Sequence, residues 1–355
     1  MVLFLAANGK EQFRFCPGTA NHGGDMVNVF FQKETEWTPA ERLRRANSLS
    51  ASFLREKFPG VDSAEFFLQF GPGFDTVGLF DSEPLCLPMY QLPGMPLQPT
   101  PDRVQPSLQF GFSRGVPVLV SQGHRHLSEG GGLYPCILPL TAAWHLGIRK
   151  HLFIDNGISL IPEIKIGNWT LMTDFLNGYA FSPLDGLHEL LENFFPDLNH
   201  ALSQELNSEI VNALDQVGIN FRLCTYQAFP GFHFCTGAEA DLARKNGADI
   251  LGHDLVMEII LSHALGCRVS AAVLACGQNL HAGQNRLRRE DVLTTCQFCS
   301  SEFLRGLAIA LQEISLAEKN VRQVRLPDAD ADEILQKSIT IKTGKKHPFK
   351  LLRKE

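Results

Sequence analysis

Histidine, arginine and glutamate crowd into the stretch His124-Arg125-His126-Leu127-Ser128-Glu129. It follows the apolar run Val116-Pro117-Val118-Leu119-Val120 and precedes the glycine triplet Gly130-Gly131-Gly132. A second polar group, Asp155-Asn156-Gly157, ends the apolar run Lys150-His151-Leu152-Phe153-Ile154, with a helical pattern from Tyr134 to Leu146 between the two. In a parallel sheet, loops at the carboxyl ends of strands share a crevice, so polar loops one crossover apart form a candidate ligand site. The bland alternative is a solvated turn. A third loop, Gly71-Pro72-Gly73-Phe74-Asp75, follows the strand-like Ala64 to Phe70 and can offer backbone N–H groups to a phosphate, although Pro72 has none to give. Cys296 and Cys299 form a CxxC pattern, but on a helical segment with no second pair. The twelve histidines also lack a metal-ligand spacing, so neither a metal nor any other cofactor is expected.

These loops need a scaffold, and the chain alternates strand and helix patterns to supply one. Thr38-Pro39-Ala40-Glu41 is a helix start with cap, first-turn proline and a glutamate three residues on; the helix runs to Lys57. Gln109 to Phe112 and Val116 to Val120 flank Ser113-Arg114-Gly115 as a hairpin. The segment from Pro84 to Pro106 holds seven prolines and reads as a long irregular loop. Ile164 to Phe175 reads as a strand or hairpin, Leu198 to Val217 as one amphipathic helix, and Phe221 to Phe229 as a strand that ends at Pro230-Gly231-Phe232-His233-Phe234-Cys235-Thr236. The short strand from Gly247 to Gly252 leads to His253-Asp254; a helix to Leu265, a strand from Val269 to Cys276 and a long helix from Glu290 to Glu318 follow.

With 355 residues, 44% hydrophobic and 20% charged, the chain can bury a sizeable α/β core. A net charge of −6 gives no sign of a nucleic-acid or anionic-membrane partner. No apolar run reaches the about eighteen residues of a membrane span, and Met1 to Ala7 lacks the basic flank of a secretory signal. Nine cysteines scattered through core-like patterns fit reduced thiols, so a cytoplasmic protein is expected. Residues 1–35 are expected to be an extension, 36–320 the domain, and 321–355 a basic, disordered tail.

Several motifs, in order, resemble those of the trimeric purine nucleoside phosphorylase family. They are Gly71-Pro72-Gly73, Gln109-Phe110-Gly111-Phe112, Gln122-Gly123 with His126 and Glu129-Gly130, Asn156-Gly157 with Leu160 and Pro162, Gly231 with Phe234 and Thr236, Gly247-Ala248-Asp249 with Gly252 and Glu258, and Arg289-Glu290-Asp291-Val292. The resemblance spans about residues 36 to 315. It implies a three-layer α/β/α fold with a distorted mixed sheet, a homotrimer, and a cleft for a purine nucleoside and phosphate.

The resemblance, with Arg125 added as the neighbour of the aligned His124, makes His124, Arg125, His126 and Asn156 the phosphate candidates. Phe234, Cys235, His253, Asp254, Asn279 and Arg289 become the base or ribose candidates. Pro72 and His124 stand where the family has a phosphate-binding serine and arginine, Asp254 where it has a further serine, and Cys235 and Gly277 where it has the glutamate and asparagine that bind the base. A neutral histidine lacks arginine's fixed charge, and a carboxylate repels phosphate. The expectation is therefore a catalytically inactive or altered member acting through small-ligand binding or protein assembly, with 6-oxopurine phosphorolysis absent or very slow. The alternative is an active phosphorylase that cleaves purine nucleosides to base and pentose 1-phosphate.

Overall fold

The structure, a computed structural model, describes residues 37–97, 105–280 and 286–324. The first helix, α1 (Pro39–Lys57), starts as its sequence predicts: Thr38 and Glu41 each accept the other's backbone N–H. Strand β1 (Phe66–Phe70) follows, fully buried. The proline-rich stretch carries more order than the expected irregular loop, with the short strand β2 (Leu85–Pro88) and a helical turn at Met89–Gln91. Pro88 sits at the strand's last position on a sheet edge, where a missing donor costs little. Next come β3 (Ser107–Ser113) and β4 (Val116–Gln122), the expected antiparallel hairpin. Helix α2 (Tyr134–His145) leads to β5 (Lys150–Ser159), β6 (Trp169–Leu176), α3 (Gln204–Asp215) and β7 (Arg222–Ala228). Then α4 (Gly237–Lys245), β8 (Ile250–Gly252), α5 (Val256–Ala264), β9 (Arg268–Gln278) and α6 (Arg289–Val324) complete the order.

The nine strands among the described residues join one mixed sheet in the order β2-β3-β4-β1-β5-β8-β7-β6-β9. Because β9 pairs with both β6 and β5, the second half of the sheet closes on itself. Helices α1, α2 and α5 pack one face and α3 and α6 the other, each face burying its own apolar cluster. This is the three-layer α/β/α arrangement with a distorted mixed sheet.

Three expectations are corrected. Strand β5 does not stop at Asp155-Asn156-Gly157 but runs through it to Ser159, pairing parallel with β9 and, at its end, antiparallel with β8. Asn-Gly is a turn signal in isolation; here distant pairing overrides it, and Gly157 fits because a side chain would overlap Ile250 and the Leu251 backbone. The predicted helix from Leu198 divides into a short turn at Leu198–His200 and α3, which Ser203 caps by accepting the Leu206 N–H. Helix α6 also runs to Val324, so the first residues assigned to the tail are helical. The N-terminal extension and the rest of the tail lie outside the described residues.

Candidate functional site

Three segments bring the charged groups together. The loop after β4 is braced by a buried ion pair, Arg125 Nη2 to Glu129 Oε2 at 2.6 Å, and by the His126 N–H, which donates to Glu129 Oε1 at 3.0 Å. That brace leaves His124 and His126 with ring centroids 4.5 Å apart. From the far side comes Asp254, at the end of β8. Its Oδ2 lies 2.8 Å from His126 Nδ1 and 3.2 Å from His124 Nε2. Strand β5 adds Asp155 and Asn156.

Asp254 is held by its backbone as much as by its partners. The next residue, Leu255, has φ 76° and ψ −45°, a left-handed conformation that a branched side chain rarely adopts. Val256 N–H closes the turn onto the Asp254 carbonyl at 3.0 Å, and the buried Tyr226 hydroxyl donates to the same oxygen at 3.0 Å. Such strain costs on the order of 1–3 kcal/mol and persists only where the surroundings over-determine it.

The charges balance inside this cluster. Burial disfavours the charged form of His126, but the Asp254 carboxylate outweighs it and pushes the imidazole up to about 9. His124 is likewise raised, burial again opposing and Asp254 prevailing. Burial would raise Asp254, yet His126 and then His124 hold it below the usual carboxylate range. Asp155 moves the other way: burial outweighs the pull of His124 and, with Asp254 repelling, lifts it to about 6. Glu258, on α5, is also raised, by burial and then by Asp254. The bare aspartate expected from the sequence is instead flanked by two imidazoles, and its carboxylate raises both of them. Asp254 thus favours the protonated form of His126 and is itself matched by imidazoles.

A cavity of about 180 Å³ opens over this cluster. His126, Asp155, Asn156 and Asp254 line one part, with Pro72 of the glycine turn beside them. Phe232, His233 and Phe234 line another, while Arg289, Val292 and Leu293 at the start of α6 line a third. The expected loops thus converge, with His126, Asn156, Phe234, His253, Asp254 and Arg289 around one space. The other candidates do not line it. His124 lies behind His126 with no exposed side-chain surface. Arg125 is turned to Glu129. Asn279 is spent on Cys235, donating to its carbonyl at 3.2 Å and its sulfur at 3.4 Å. A Cβ at the position of Gly277 would come within 2.8 Å of the side-chain ends of Ile158 and Leu287, so a larger residue there requires both to shift.

Sequence reasoning missed two contributors and one role of a third. The γ-turn at Leu255 and the Tyr226 clamp have no local signature, since neither residue type favours its role. Gly71, noticed for the backbone of its turn, has a further role: a Cβ there would overlap the Asp155 carboxyl group. Gly71 also donates its N–H to the Ile154 carbonyl at 2.7 Å, so the turn cannot simply retreat. Gly71→Ala is expected to lower stability by about 1–3 kcal/mol, the range for forcing extra carbon into a packed interior. Urea unfolding checks this, and an unchanged midpoint would show that the wall yields freely.

Comparison with known proteins places this geometry in context. The family model described as the phosphorylase superfamily matches residues 104–308. Purine nucleoside phosphorylase 1 of Geobacillus stearothermophilus is 27% identical over 266 residues, covering 74% of this chain and 95% of the relative. Purine nucleoside phosphorylase of Rattus norvegicus is 30% identical over 248 residues, covering 67% and 85%. Among solved structures, Schistosoma mansoni purine nucleoside phosphorylase in complex with inosine superposes with a TM-score of 0.67 at 20% identity, covering 80% of this chain and 98% of that one. At that identity the superposition shows the fold. No helix among the described residues is long and apolar enough to cross a membrane. With a family model over more than half its length and a relative at this identity, the chain belongs to the nucleoside phosphorylase family of the phosphorylase superfamily.

Proposed function

We propose that the chain is an active pentosyltransferase that cleaves the N-glycosidic bond of a purine nucleoside and transfers the pentosyl group to phosphate. The observation that carries this reading is the enclosure of Asp254 by two imidazoles on the wall of the cavity. A carboxylate so matched does not present a bare negative charge to an incoming phosphate, and His126 beside it offers a donor. In this reading His126 and Asn156 hold phosphate, while Phe234, Val292 and Leu293 pack the nucleoside. A phosphate oxygen then forms a bond to the anomeric carbon as the bond to the purine nitrogen breaks, and the purine leaves with the electron pair. Holding the two reactants in contact supplies much of the acceleration, and charge placed where it develops supplies more.

The relatives bear the names of phosphorylases, which favours this reading over the expected non-catalytic one. The homotrimer implied by the resemblance, and the cytoplasmic location expected from the cysteine pattern, belong to the same proposal. On the base side, the pairing of Cys235 with Asn279 leaves recognition of the purine edge to other groups. Inosine, guanosine and adenosine should therefore be assayed together.

The test is release of free base and pentose 1-phosphate from these nucleosides in the presence of phosphate. His126→Ala is expected to reduce turnover roughly a hundred- to a thousandfold, the scale for losing one group that stabilises developing charge. Absence of turnover by the wild-type chain with all three nucleosides would reject the proposal.

A further inference from the structure

His124 is not explained by the chemistry above. Its ring is enclosed, it does not line the cavity, and among the described residues neither of its nitrogens meets a partner at hydrogen-bond angles. Polar atoms buried in that state are costly and uncommon. Nε2 nevertheless lies 3.2 Å from Asp254 Oδ2. Two atoms that approach without pointing at each other are in the arrangement adopted when both point at a third.

The third atom can be placed. His124, His126 and Asp254 each offer one ligand atom within 4.8 Å of the other two, and all three residues are buried. In a tetrahedral centre with bonds of about 2.0–2.1 Å, neighbouring donor atoms are about 3.4 Å apart. The 3.2 Å separation already matches, and the 2.8 Å contact to His126 needs to open by only about half an ångström. Two imidazoles and one carboxylate are a donor set suited to zinc and similar borderline divalent ions, and three protein ligands leave a fourth position for a small molecule. His126 and Asp254 both line the cavity, so that position has an outlet.

We propose that His124 Nε2, His126 Nδ1 and Asp254 Oδ2 form a binding site for one divalent ion of the zinc class, with an open coordination position toward the cavity for water or an oxyanion. The strained turn at Leu255 is consistent with this role, because it fixes the Asp254 backbone opposite a loop 128 positions away in the chain. The site goes beyond the proposed pentosyl transfer, and its occupancy is read without turnover; an ion there would replace the proton on His126 Nδ1 and itself carry the positive charge that faces the cavity.

The experiment uses the full chain, stripped with a chelator and dialysed against zinc, with the metal content measured per chain. One tightly held ion is expected. Asp254→Asn and His124→Gln should each weaken it by at least about a hundredfold, the upper end of what even supporting residues around a metal contribute. Cobalt in place of zinc should give visible ligand-field bands without the intense near-ultraviolet absorption of a cobalt–thiolate bond. That second readout needs only wild-type protein and keeps the test decisive if a variant fails to fold. It also separates the site from the thiols of Cys276 and Cys296, which lie 3.5 Å apart. No stoichiometric binding, binding unchanged in both variants, or a thiolate spectrum would each overturn the proposal.

Discussion

Asp254→Asn is expected to lower kcat/KM for phosphate-dependent purine nucleoside cleavage by roughly a hundred- to a thousandfold, while also destabilising the fold by about 3 kcal/mol. The substitution keeps the shape of the side chain and removes its charge. What it leaves behind is a buried pair of imidazoles without a counter-ion, the situation in which breaking a buried pair costs most. His126 then loses the charge with which it would meet phosphate, because Asp254 is the main influence holding its proton against burial. Steady-state kinetics should be measured on protein shown by circular dichroism to be folded at the assay temperature. If Asp254 and His126 act as one unit, the double variant with His126→Ala will be little slower than either single one. An Asp254→Asn enzyme within about tenfold of wild type would mean that the cluster is structural.

A comparably large effect is expected in acid, from a residue outside the site. His151 is buried on β5 between Phe67 and Phe153, with Nδ1 2.9 Å from the Ser262 hydroxyl and Nε2 3.7 Å from the Cys267 sulfur. Burial, and then the nearby Arg149 charge, push it down to about 3, against an ordinary value of 6.5. Between those two values the unfolded chain binds a proton that the folded chain refuses. Stability from this group is therefore present above pH 6.5 and is lost progressively as pH falls toward 3. At about 1.4 kcal/mol per pH unit, the loss between neutral pH and pH 4 is about 3 kcal/mol. Asp155 and Glu258, whose carboxyls are raised, oppose this loss as they take up protons, so the raw pH profile mixes several groups. A comparison removes them: His151→Gln should differ from wild type by about 3 kcal/mol less at pH 4 than at pH 7.5 in urea unfolding. Parallel profiles would show that His151 does not titrate as a buried neutral ring.

By itself the sequence determined the local elements and the side of the sheet on which chemistry sits. The Thr38 to Glu41 cap, the β3–β4 hairpin and the alternation of strands and helices are set by neighbours a few positions apart, where periodicity and turn chemistry act. The convergence of the segments bearing Pro72, His126, Asn156, Phe234 and Asp254 followed, because loops at one end of a sheet have little choice of direction. Only the tertiary structure decided what those residues can do. Whether Asp155 belongs to a loop or a strand depended on β8 and β9, more than ninety positions further along the chain. Whether Asp254 repels an anion depended on the two imidazoles that a strained turn brings within about 3 Å of it. A carboxylate's charge, and the charge it induces in a neighbour, are set by burial and by partners a few ångströms away. Those distances are created by folding, and nothing in the spacing of positions 124, 126 and 254 along the chain records them.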